Sequence, residues 1–306
     1  MCNDGILKKA NRLIKEKKYH KALVELNYFN DNCPELRHII NYNFLFIKNN
    51  IDYIVSLTSY PKRISTCHLV IESILAQYTK NIKVILWLAR EEFPGREKDL
   101  PAELRALVSD EFSIEWCENI YSFKKLIPSL LKYPEKIIIT ADDDVIYPQN
   151  WLDSLITSYI HSPEAVHCHR AHRVKIDVSG NIVEYSKWKK RIKSISPRFD
   201  NFMTGVGGVL YPQNSLFFEV LRKDLFLDLC RFGDDIWFWA MCVLNGTKIR
   251  VVKDGFNKFQ NIENTQDDNL WESNVNLGRN DIMINSVIER YPDILKKLVT
   301  SEDSNL

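Results

Sequence analysis

Several absences narrow the class of this chain before any motif is considered. It has no Cys-x-x-Cys pair; seven cysteines stand scattered at 2, 33, 67, 117, 168, 230 and 242. An odd, dispersed set reads as reduced thiols, not as a disulfide framework. No window approaches the roughly 20 apolar residues of a membrane span. The opening MCNDGILKKANRLIKEKK is amphipathic and charged, without the apolar centre of a signal peptide. A cytoplasmic protein is expected, with peripheral attachment at the inner face of the cell membrane still open to it. Net charge is missing too: 41 basic residues against 40 acidic ones leave +1, so nothing draws the whole chain to nucleic acid.

What is present suits a globular protein. The 306 residues are 45% hydrophobic and 26% charged, enough for a sizeable core in one large domain or two ordinary ones. Residues 1–49 carry helical spacing, and Ala10, Leu13, Tyr19, Ala22, Leu26, Phe29 and Pro34 fit one tetratricopeptide-like helical hairpin. A single unit cannot bury its apolar face alone. It is expected to pack on the main body, on another helix, or on a second copy as a homo-oligomer; a plain helical cap has the same pattern. From residue 50 the texture alternates: DYIVSLT, IKVILWL, FSIEW and KIIIT read as strands, with helical patterns over 65–77 and 122–133 between them. Continuous apolar strands separated by helices predict a mostly parallel sheet covered on both faces. Ligands of such sheets sit beyond the strands' carboxyl ends.

KIIIT leads through Ala141 into Asp142, Asp143 and Asp144. Three adjacent carboxylates repel one another and are costly to bury unpaired. Asp142 and Asp144 flank one residue and can reach a common point, where hard oxygen ligands suit Mn²⁺ or Mg²⁺ holding a substrate diphosphate. Alternatively the triplet is a solvated turn, with Asp142 capping the helix that begins near Asn150. The remaining third holds seven of the ten glycines, as loops built around a ligand would.

The stretches VSLTSYPKRI (55–64), WLAREEFPGREKDLP (87–101), SFKKLIPSL (122–130), ITADDDVIYP (139–148), HCHRAHRV (167–174), TGVGGVLYP (204–212), FGDDIWFWAMCVLNGTKI (232–249) and NLGRND (276–281) go further together. As a set they resemble GT-A-type nucleotide-sugar glycosyltransferases, similar to bacterial enzymes that assemble capsule and lipopolysaccharide glycans. The resemblance covers nearly all of residues 50–290 and leaves out the N-terminal helices. It implies an α/β, Rossmann-like, mostly parallel sheet flanked by helices over 50–306. It also implies transfer of a sugar from a nucleotide donor, a UDP-sugar, to an oligosaccharide or lipid-linked glycan acceptor.

Residue by residue, the resemblance places Thr58, Ser59, Arg63, Lys125, Asp142 and Asp143 at the nucleotide, with Lys124 as an alternative to Lys125. Asp144 becomes the direct ligand of Mn²⁺ or Mg²⁺, helped by Asp142. No histidine follows His172, so a third ligand falls to water, phosphate or Asp281. Gly207 and Gly208 approach the sugar, with Val206 standing where similar chains carry glycine. Asp235 matches the general base of inverting transferases, because an acceptor hydroxyl is a poor nucleophile until a carboxylate takes its proton. The resemblance also places Asp234 at the sugar site, although Asp234 and Asp235 equally suit a helix N-terminus simply as acidic first-turn residues. Trp237 or Trp239 offers a ring for a sugar to stack on, one of them being expected in the core.

His167, His169 and His172 lack the spacing of a structural zinc site; His169 is expected to line the sugar site. KWKKRIK (187–193) is either a solvated loop or a contact for anionic lipid or a lipid-diphosphate acceptor. Two rival readings stay open. The strand-DxD pattern also resembles haloacid-dehalogenase-type phosphohydrolases, with Asp142 as nucleophile. The helical hairpin alone would suit a non-catalytic scaffold or glycan-binding protein.

Overall fold

The computed structural model describes residues 4–253, 259–262 and 278–303; Cys2, Gly255 and the first two residues of NLGRND lie outside them. Three helices come first, α1 (Asp4–Lys15), α2 (Tyr19–Asn32) and α3 (Arg37–Asn50). The alternating region follows as β1 (Tyr53–Thr58), α4 (Cys67–Leu75), β2 (Ile82–Ala89), α5 (Ala102–Ala106), β3 (Phe112–Cys117), α6 (Ile127–Lys132) and β4 (Ile137–Thr140). Beyond the aspartates come β5 (Val145–Ile146), α7 (Trp151–Ile160), β6 (Val166–Cys168), β7 (Ala171–Arg173), β8 (Asn201–Met203), β9 (Val209–Tyr211), α8 (Lys223–Cys230), α9 (Asp234–Asn245), β10 (Ile249–Val251), β11 (Gln260–Asn261), α10 (Arg279–Arg290) and α11 (Asp293–Asp303).

The helix expected over 122–133 is broken. Tyr121–Lys125 forms a 3₁₀ turn and α6 starts afresh at Ile127. Pro128 is the reason: in a continuous helix its ring would meet the carbonyl four residues back, at Lys124. The break matters because Lys124 and Lys125 end the 3₁₀ turn instead of riding on a helix surface.

The main sheet has seven strands in the order β10-β6-β9-β4-β1-β2-β3. β9 runs antiparallel to both β4 and β6, and the other pairings are parallel. The carboxyl ends of β1, β2, β3, β4, β6 and β10 therefore share one edge, and the chain enters β9 at that same edge. This α/β sheet is mostly parallel and covered on both faces, which is why its strands read as unbroken apolar runs. Tyr53, Val55, Leu57, Val84, Leu86, Leu88, Ile137 and Ile139 face the layer of α1–α4 and α7. Ile54, Ile85, Trp87 and Ile138 face the layer of α8–α11.

The N-terminal helices belong to the first layer. Ala22, Leu23, Leu26, Phe29, Ile40 and Ile47 are buried in the same cluster as the sheet. Asn27 Nδ2 donates to Ile160 O (2.7 Å) and Lys48 Nζ pairs with Asp153 (2.6 Å), so α2 and α3 dock on α7. Tyr28, Tyr42 and Leu45 stay exposed. Cys67, Cys117, Cys168, Cys230 and Cys242 are free. Cys33 departs from the expected reduced set, being disulfide-bonded. Among the described residues no helix is long and apolar enough to cross a membrane.

Candidate active site

At the carboxyl edge lies a cavity of about 830 Å³. It is lined by Thr58 at the end of β1 and Ser59 and Arg63 after it, by Lys124 and Lys125, by Asp142–Asp144 after β4, and by Asp234 and Asp235 at the start of α9. Residues from four separated stretches of sequence thus meet at the edge where a parallel sheet gathers its loops.

Ion pairs knit them together. Arg63 Nη1 lies 3.0 Å from Asp143 Oδ1 and 2.9 Å from Asp144 Oδ2. Ser59 Oγ donates to Asp143 Oδ2 (2.6 Å), leaving Asp143 almost fully covered. Burial raises the Asp143 carboxyl above its ordinary range, while Arg63 and Ser59 oppose that rise. Lys125 Nζ stands 3.3 Å from Asp142 Oδ1 and 3.1 Å from Asp234 Oδ2. Burial works against the Lys125 charge, but Asp142, Asp234 and Asp235 together hold it well above the ordinary lysine range. Lys124 turns away to Glu92 (2.5 Å). Of the two lysines, Lys125 faces the aspartates. Thr58 Oγ1 donates to Trp87 O (2.7 Å), which ties it to the end of β2.

Asp235 is placed differently from its neighbour. The N-cap of α9 is Gly233, and no side chain caps the helix. Asp234 reaches Lys125, whereas Asp235 accepts from Gly205 N at 3.0 Å with each carboxylate oxygen. Burial, then the Asp234 charge, raise the Asp235 carboxyl to about 7, against the pull of Lys125 and Gly205 N–H. A carboxylate titrating near neutrality, in a cavity beside a lysine, suits a general base.

Gly205 is the hub of this arrangement, and the sequence pattern pointed instead to Gly207 and Gly208. A Cβ on Gly205 would lie 2.7 Å from Lys125 Nζ and 3.1 Å from Asp235 Oδ1. Gly207 and Gly208 do not line the cavity but support its wall. Gly207 O accepts from Trp151 Nε1 (2.6 Å), and Gly208, at φ +92°, packs so tightly that a Cβ would meet Trp151 at 2.6 Å and Thr140 O at 2.9 Å. His169 is buried behind the same wall, its Nε2 donating to Trp151 O (3.2 Å). His167 Nε2 donates to Ser162 O (3.0 Å) while its Nδ1 accepts from Ser158 (2.8 Å). Burial takes that imidazole down to about 3.

Trp237 is fully buried, bonded through Nε1 to Val220 O (3.1 Å), and Trp239 is likewise in the core. Tyr60, Tyr121, Tyr185, Phe202 and Phe232 line the cavity, and Tyr121 and Phe232 meet edge to face at 6.0 Å. These two are 43% and 38% exposed, so a ligand can reach both. Their only sequence signal was adjacency, to SFKK and to GDD. Arg170, hidden between the histidines of HCHRAHR, and Arg191 also line the cavity.

Asp142 and Asp144 both face the cavity with hard oxygens, a donor chemistry that fits Mn²⁺ or Mg²⁺. Among the described residues no group of three or more His, Cys, Asp or Glu is gathered for a metal. Asp281 is engaged elsewhere, its Oδ1 accepting from Tyr185 N (2.7 Å). An ion held here would take its remaining ligands from water or a substrate's phosphates, as Mg²⁺ commonly does.

No protein-family model matches the chain, and no curated protein sequence does. Among solved structures, the chain is similar to Staphylococcus aureus TarS 1–349, at 15% identity over 67% of this chain and with a TM-score of 0.43. It is also similar to the UTP-bound UGPase of Acinetobacter baumannii, at 12% identity over 82% of this chain and 97% of that one, with a TM-score of 0.40. The chain spans 58% of the TarS chain.

Proposed function

We propose that this protein is a nucleotide-sugar glycosyltransferase, acting with Mn²⁺ or Mg²⁺ on a UDP-sugar and inverting the anomeric carbon. The observation that carries this reading is the convergence of Asp142–Asp144, Arg63, Lys125 and Asp235 on one cavity at the carboxyl edge of a mostly parallel sheet. Asp142 and Asp144 would hold the ion, which neutralises charge on the departing diphosphate when bound.

The protein's own groups account for the rest. Lys125 and Arg63 keep positive charge beside the phosphates. Gly205 N–H, bonded to both Asp235 oxygens, fixes that carboxylate in place. Asp235 takes the proton of the acceptor hydroxyl as that oxygen bonds to the anomeric carbon. The bond from carbon to the diphosphate oxygen breaks, and its electron pair leaves with the nucleoside diphosphate. Tyr121 and Phe232 offer the stacking surface that Trp237 was expected to supply, since pyranose rings lie well on aromatic faces.

The test is a panel of nucleotide sugars measured for metal-dependent protection against thermal unfolding, with Asp144→Ala as control. A ligand at 100 times its Kd stabilises by about 2.7 kcal/mol. Protection by one UDP-sugar only with Mn²⁺, lost in the variant, is the expected result. No response to any nucleotide sugar, with trapping by beryllium fluoride at Asp142, would transfer the site to phosphohydrolase chemistry.

A further inference from the structure

In the sheet order β6-β9-β4-β1, the aspartates after β4 stand between two arginine-bearing walls. Arg63 is on the β1 side. Arg170 lies just beyond the carboxyl end of β6, two strand spacings or about 10 Å from β4. Thr204 N donates to Arg170 O (3.1 Å), and the next amide, Gly205 N, donates to Asp235. The backbone of Arg170 and the carboxylate of Asp235 are therefore linked through two consecutive residues.

Arg191 reaches the same wall from a segment laced to β7. Arg173 N donates to Lys189 O (2.8 Å), Arg191 N to His172 Nδ1 (3.1 Å), and Ile192 N to Ala171 O (2.9 Å). Arg191 is held at φ +50°, a left-handed conformation that costs a non-glycine residue energy and recurs at ligand sites.

Arg170 and Arg191 bring two guanidinium groups to one wall of the cavity. Burial, then the charge of Arg191, hold Arg170 below its ordinary value. Lys190 is lowered to about 8 by burial and then by Arg170. Its Nζ donates to Tyr185 O (2.6 Å) and sits 3.3 Å over the Tyr185 ring, so it is turned back onto the body. Trp188 and Ile192 are buried. Trp188 and Ile192 thus anchor the KWKKRIK run to this wall, while Lys187, Lys189, Lys190, Arg191 and Lys193 are exposed. An oxyanion set against these two cavity-lining guanidinium forks can take charge-assisted hydrogen bonds from them.

We propose that Arg170 and Arg191 form an anion subsite for the acceptor, binding a phosphodiester or carboxylate that the acceptor carries near its reacting hydroxyl. The subsite places that hydroxyl beside Asp235, while the donor diphosphate lies with Arg63, Lys125 and the β4 aspartates. Only the assignment of the anion to the acceptor rests on the glycosyltransferase reading.

The experiment measures binding of glycerol phosphate and glucuronate, with glycerol and glucose as uncharged controls, alone and with UDP and Mn²⁺ present. Arg191→Asn removes the charge at the exposed mouth with a residue that tolerates positive φ, so folding is preserved. Arg170→Gln removes the second fork, and Arg170→Lys keeps its charge. At least one charged probe is expected to bind where the controls do not. Arg191→Asn and Arg170→Gln should each weaken that binding about tenfold or more, Arg170→Lys less, while UDP affinity changes by less than about threefold. Charged probes binding no better than the controls would overturn the proposal. So would UDP affinity falling together with probe affinity, which would put the pair on the donor diphosphate. If UDP fails to bind the wild type, the transferase reading fails, and probe binding without nucleotide still decides the subsite.

Discussion

Replacing Asp235 with asparagine is expected to abolish turnover and yet make the protein more stable above neutral pH. The folded protein raises this carboxyl from its ordinary 3.8 to about 7, chiefly by burial and the Asp234 charge. Between about pH 4 and pH 7 the folded state therefore holds a proton that the unfolded chain has released. Stability from this group falls as pH rises through that window, and the full penalty applies above it. The rise from 3.8 to about 7 corresponds to about 4 kcal/mol at ~1.36 kcal/mol per pH unit, an upper bound. Asparagine keeps an acceptor for Gly205 N–H but removes one of the charges that hold Lys125, which offsets part of the gain. A net gain of ~1–2 kcal/mol, or ~2–6 °C in Tm, is expected at pH 8 for a chain of this size. It should shrink as pH falls toward 4 and vanish below the unfolded value, where the wild-type carboxyl is protonated in either state. Loss of a general base should lower kcat by ~10²–10⁴-fold. In the wild type, kcat/KM should climb with pH and level off above about 7. The assays are thermal melts of both proteins from pH 4 to pH 8 and sugar transfer across the same range. Equal destabilisation of the variant at pH 5 and pH 8, or retention of more than about a tenth of kcat, would refute the role given to Asp235.

Gly208→Ala should cost stability rather than chemistry. Its φ of +92° and the contacts waiting at Trp151 and Thr140 O give an expected loss of ~2–4 kcal/mol, read by denaturant unfolding. Trp237→Phe separates core from platform: an expected loss of ~1–3 kcal/mol with acceptor KM unchanged, whereas Phe232→Ala should raise acceptor KM and leave the melting temperature nearly unaltered. The opposite pattern would return the stacking role to Trp237.

The sequence by itself specified the α/β class, the strands β1 to β4 and the start of α9. Those are local matters: β1 to β4 are marked by unbroken Ile, Val and Leu runs, and the start of α9 by FGDDIW followed by helical spacing. It also indicated that Asp142–Asp144 end a strand, and a strand's end is where a parallel sheet exposes its loops. Side-chain direction was not legible. Trp237 and Phe232 both flank the acidic pair, yet one faces the core and the other the cavity, a choice set by packing against Val220, Phe226 and Tyr291. Gly205, Gly207 and Gly208 fall within four residues, and only the crossing of β9 beside β4 places the first among charges and the other two against Trp151. Arg170 and Arg191 lie 21 residues apart in sequence, between histidines and within a lysine-rich loop. The pairing of residues 189–192 with β7 puts them on one wall, and pairing between distant segments is a long-range property that no local pattern encodes.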